Sequence, residues 1–68
     1  MASITYSVMT LVRGIEDDEE IEHPARTLEE AEAIFANFVR APGENLIEVE
    51  LVQTAEGKTT SCKTWCRE

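Results

Sequence analysis

The stretch TLEEAEAIFANFVRA, residues 27–41, decides the fold. Leu28, Ala31, Ile34, Phe35, Phe38 and Val39 recur at three- and four-residue spacing, which gathers them on one face of an α-helix. Thr27 stands where an N-cap belongs, and Glu30 follows three residues later, the spacing of a capping box. Glu29, Glu30 and Glu32 fall in the first turns, where the positive end of the helix dipole favours them. Ala41-Pro42-Gly43 then stops the helix. A helix with one apolar stripe must bury it against another layer, and the flanking segments supply a sheet.

On the N-terminal side, SITYSVMTLV (residues 3–12) alternates as a half-buried strand does. Ile4, Tyr6, Val8 and Val12 share one face with Thr10, while Ser3, Thr5, Ser7, Met9 and Leu11 share the other. Arg13 and Gly14 end the strand, with Gly14 free to supply the positive φ that a turn can require. A second strand is expected from about Glu19 to Ala25, with Ile21, His23 and Ala25 on one face and Glu20, Glu22 and Pro24 on the other. Pro24 confines that strand to an edge or ends it. On the C-terminal side, LIEVELVQT (residues 46–54) directs Ile47, Val49 and Leu51 inward and Glu48 and Glu50 outward. Ala55-Glu56-Gly57-Lys58 makes a turn, and Lys58–Arg67 reads as the last strand. The expected architecture is α+β, in the order ββαββ: a four-stranded, mainly antiparallel sheet with one helix packed on one face. It occupies a single small domain, residues 1–68. These patterns do not specify the order of the strands.

Composition narrows the function. The chain of 68 residues carries a net charge of −8, with 43% hydrophobic residues, a normal share for a globular protein. That charge argues against direct contact with nucleic acid or anionic membranes and favours basic partners. The opening MASITYSVMTLVRG lacks the basic n-region of a signal peptide, and no run reaches the length of a membrane span. The expected location is the cytoplasm. The charge is also polarised: twelve acids lie between Gly14 and Glu50 against Arg26 and Arg40, while Arg13, Lys58, Lys63 and Arg67 lie outside that segment.

The residues give catalysis little to work with. His23 is the single histidine, and no local signature pairs it with Cys62 or Cys66 as base and nucleophile. General acid–base work needs two carboxyls in contrasting environments, which a dense exposed cluster lacks. Zinc needs four ligands, and two cysteines with His23 supply three at most, short of a site shared across a dimer. The acidic run lacks the alternating ligands and central glycine of an EF-hand loop. No enzymatic activity, cofactor or metal site is therefore expected. Residues four apart in a strand lie about 13 Å from one another, so Cys62 and Cys66 are expected as two reduced thiols on one sheet face. Trp65 is expected to cap the core or lie on the sheet face. If the cysteines face the helix, it points instead to the other face and serves a dimer or partner surface.

The run IEDDEEIEHP, residues 15–24, places six carboxylates in the seven positions from Glu16 to Glu22. One reading is a solvated tip and edge that block unwanted strand pairing. The other is imitation of a phosphate backbone, with carboxylates spaced along a strand for a groove lined with Lys and Arg. On that reading Glu16, Asp17, Asp18, Glu19, Glu20 and Glu22 form the contact set, with Glu29, Glu30, Glu32, Glu48 and Glu50 as secondary members.

The length, MASITYSVMTLV, the run EDDEEIE, the helix TLEEAEAIFANF and the hairpin LIEVELVQTAEGK together resemble the small acidic anti-CRISPR proteins of phages and prophages, of the type I class and the I-C branch in particular. The resemblance spans the chain without a shared motif. It implies a non-enzymatic inhibitor that binds a basic backbone subunit of a guide-RNA surveillance complex and blocks target DNA. The alternative is a small homodimeric structural or regulatory module, built on Met9, Leu11 and Trp65.

Overall fold

The structure is a computed structural model that describes residues 4–67. Ser3, assigned above to the first strand, lies outside those residues. The two alternating N-terminal segments form β1 (Ile4–Val12) and β2 (Glu19–Ala25). The stripe segment forms α1 (Leu28–Arg40), followed by β3 (Leu46–Ala55) and β4 (Lys58–Cys66). The four strands make one antiparallel sheet in the order β2-β1-β3-β4, the α+β ββαββ arrangement expected. β1 and β3 are therefore central. β2, with Pro24, is an edge.

The helix lies against β1, β2 and β3. Thr27 caps it from an extended conformation, and its hydroxyl accepts the Glu30 backbone N–H at 3.1 Å. Ala31 is fully buried, and Ile34, Phe35 and Phe38 pack on the same core. Leu28, in the first turn, remains exposed and extends the stripe beyond the buried cluster. Val8, Ala25, Leu46, Val49 and Leu51 meet the helix from the sheet, with Tyr6, Val12 and Trp65 around them. Complete burial is worth about 1.5–3 kcal/mol for each side chain of the size of Val8, Val49 or Leu51.

Two bulges shift the alternation. Leu11 faces Glu48 but Val12 faces Leu46, leaving Ile47 as the extra residue. One inserted residue reverses the phase beyond it, so Leu46 occupies the core position that regular alternation gives to Ile47. In β4, Leu51 faces Lys63 and Val52 faces Ser61, which makes Cys62 the extra residue.

Gly14 is required for space rather than for positive φ. A Cβ there would lie 2.0 Å from the Asp17 carbonyl oxygen, because the loop folds back on itself at that point. Positive φ falls instead on Gly43 beyond the helix and on the pair Glu56 and Gly57. That pair is the two-residue connection between Ala55 and Lys58, with the signs of φ that a type I′ hairpin turn needs.

Candidate functional site: the uncovered sheet face

Because one helix covers one side, the other side of the sheet has no second layer. The register fixes what lies there. Met9 faces Glu22 on β2 and Glu50 on β3, while Leu11 faces Glu20 and Glu48. The central strand thus carries two apolar residues, each with a glutamate on either side. Neighbouring strands are about 4.8 Å apart and alternate residues about 6.7 Å. The Cα positions of the four glutamates therefore mark the corners of a rectangle of about 10 by 7 Å, with those of Leu11 and Met9 along its midline.

Two of the four carboxylates are held by neighbours. The Ser7 hydroxyl donates to Glu22 Oε2 at 2.8 Å, and the Cys66 thiol donates to Glu48 Oε2 at 3.9 Å. The other paired strand residues of the face are Pro24, Thr5, Val52, Thr54, Thr59, Ser61 and Thr64, and none of these is a cation. Val52, though on this side and apart from the core cluster, is only 8% exposed, screened by the side chains around it. The face divides into a carboxylate half around Leu11 and Met9 and a hydroxyl half around Ser7 and Thr5.

The hairpin loop continues the acidic half. Glu16, Asp17 and Asp18 lie exposed between the end of β1 and the start of β2. Glu16 and Asp17, together with Gly14, fully exposed Ile15 and Glu19, line an open concavity. The six-residue contact set read from the sequence is therefore divided. Glu16–Asp18 form the tip, Glu19 faces Val12 on the helix side, and only Glu20 and Glu22 reach the open face. There they join Glu48 and Glu50, which sequence reasoning ranked second. Glu29, Glu30 and Glu32 sit on the helix, away from this face, and Glu32 is engaged with Lys63 at 3.6 Å.

His23, Trp65 and the cysteines are also placed. His23 lies on the helix side, its Nε2 3.2 Å from the Thr10 hydroxyl and its ring 4.9 Å from that of Phe38. Trp65 faces Val49 on the helix side and packs on the core. Cys66 lies on the opposite side and Cys62 at the bulge, both free and exposed. The condition for an outward-facing Trp65, cysteines directed at the helix, is not met, and the bulge prevents the two thiols from sharing a face by simple alternation. Arg67 closes this end of the sheet: its Nε donates to the Leu46 carbonyl at 2.8 Å and its terminal nitrogen to the Gly43 carbonyl.

Among the described residues no group of three or more histidine, cysteine or acidic side chains has the geometry to hold a metal ion, and no helix is long and apolar enough to cross a membrane. Comparison with family models, curated proteins and solved structures returned no match.

Proposed function

We propose that this protein is a non-enzymatic, stoichiometric inhibitor of the anti-CRISPR kind, acting in the cytoplasm of a host cell. Its acidic surface occupies a basic nucleic-acid-binding surface of a type I surveillance complex, a backbone subunit of the I-C branch being the first candidate, and thereby blocks target DNA. The observation that carries the reading is the placement of Glu20 and Glu22 opposite Glu48 and Glu50 across β1, among paired strand residues that include no cation on that face. The acidic tip at the same end and the net charge of −8 add to it. A groove of Lys and Arg would gain from this array the attraction and steering that it gains from phosphates.

The homodimeric alternative has less support. Two copies meeting through this face would set their carboxylates against one another. The outer strands carry Pro24 and the Cys62 bulge, devices that resist edge pairing.

The test is target-DNA binding by a purified type I-C surveillance complex, followed by fluorescence anisotropy as the protein is titrated in. DNA binding is expected to fall at stoichiometric protein, and the protein's own affinity for the complex, measured without DNA, is expected to weaken as salt rises from about 50 to 200 mM. The combined variant Glu20→Gln, Glu22→Gln, Glu48→Gln, Glu50→Gln is expected to lose inhibition while keeping the parent's circular dichroism. DNA binding that is indifferent to the parent protein would exclude this partner.

A further inference from the structure

We infer that the uncovered face is a seat for a basic amphipathic helix of a partner protein, lying along β1 with apolar residues over Leu11 and Met9 and Lys or Arg reaching the glutamates on both sides. This rests on the reading that the acidic surface receives a basic protein, and it names the element received.

The shape of the charge distribution carries the inference. A phosphate-like surface would be charged throughout, whereas this one has an apolar midline. Met9 and Leu11, both half-buried, occupy the central strand, and the glutamates are carried on β2 and β3, whose backbones run about 5 Å to either side. An α-helix reproduces that section when its apolar stripe is flanked by cations on both borders. Residues four apart on a helix rise about 6 Å, close to the about 6.7 Å between Leu11 and Met9. Two successive apolar side chains can therefore follow the strand while Lys or Arg stems lie beside them and carry their charges outward to the glutamates. Apolar contact at the centre and charge at the rim is also the usual anatomy of a protein interface.

Charge decides against a second copy as the occupant. The helix of this chain exposes Glu29, Glu30 and Glu32, with Arg40 at its end, so its outer side is acidic like the face it would have to meet. The surface area leaves room for another layer. The molecule exposes 5140 Å², against about 4,300 Å² for a compact monomer of 7.6 kDa.

Two peptides of about 18 residues, about 27 Å long as helices, test this on the unaltered protein. Both are made only of leucine and lysine in the same proportions. One places leucines at three- and four-residue spacing and the other scrambles them. Fluorescence anisotropy with labelled peptides is expected to show the patterned peptide binding about tenfold tighter. The double variant Met9→Thr, Leu11→Thr, which preserves strand propensity, is expected to erase that preference. Amides at Glu16, Asp17 and Asp18 of the tip are expected to leave it. Equal binding of the two peptides, or no binding of either at low salt, overturns the inference, and so does a preference that survives the double variant with native circular dichroism.

The surveillance-complex assay separates this from the functional reading. If the double variant inhibits DNA binding as well as the parent does, the helix seat is wrong and the inhibitor reading stands. If the patterned peptide is preferred but the complex is untouched by the parent, the seat is supported and that choice of partner is wrong.

Discussion

Along β1 the side chains alternate between two environments 180° apart. Val8 and Thr10 are 0% and 1% exposed beneath the helix, whereas Met9 and Leu11, their immediate neighbours, are covered only by the side chains beside them. The strand partners repeat the contrast: Val49 and Leu51 on one side of β3, Glu48 and Glu50 on the other. Cohesion is concentrated in the helix-covered layer, which even satisfies its buried hydroxyl, since Thr10 is within reach of both the Ile21 carbonyl and His23. The open layer contributes little to holding the chain together and keeps like charges close. Four aligned glutamates on this layer carry a small electrostatic penalty in the folded state.

The contrast breaks most sharply under truncation. Leu51→Ala should cost about 2–5 kcal/mol, a large part of the total of about 3–10 kcal/mol for a chain this size, while Met9→Ala should cost less than about 1 kcal/mol. Urea denaturation of both variants checks this, and equal losses would show that the open face is covered in solution. Next in size, Thr10→Val should destabilise by about 1–2 kcal/mol by leaving the half-buried His23 without its hydroxyl partner, which a thermal melt at neutral pH would register. Thr27→Ala should cost about 1 kcal/mol by removing the cap that starts the covering helix, seen as a lower midpoint in the same denaturation. The smallest effect has the opposite sign. Converting Glu20, Glu22, Glu48 and Glu50 to glutamine should raise stability by a few tenths of a kcal/mol at low ionic strength, and the gain should shrink as salt screens the repulsion in the parent.

The legible and illegible parts of the sequence follow the same division. Period-two alternation in residues 4–12 and the stripe of residues 28–39 announced the covered face, because burial imposes a strict pattern on both layers. Leu46 and Cys62 escaped that logic. Their bulges carry neither glycine nor proline, and a single unpaired residue leaves no periodic trace. The open face was half legible. Glu48 and Glu50 read as outward residues, and so did Glu20 and Glu22, but their convergence depends on β1 lying between β2 and β3. That is a property of strand order, which no local pattern encodes. The hairpin tip drew attention by density, whereas the arrangement around Met9 and Leu11 is visible only across three strands.

The placement of β1 also bears on how the chain is made. Its ladder with β3 joins Ile4 to Ala55 and Thr10 to Val49, so the centre of the sheet closes only across the whole of β2 and α1. The first hairpin and the 13-residue helix are synthesised earlier, but each is marginal alone in water and neither has its core until residues 46–55 exist. By then most of the chain has been translated. Long-range closure of this kind slows folding relative to helical domains of equal length. Until β3 is made, the apolar residues of β1 have β2 as their one strand neighbour, and the acidic run lies next to them in sequence, where charge opposes aggregation.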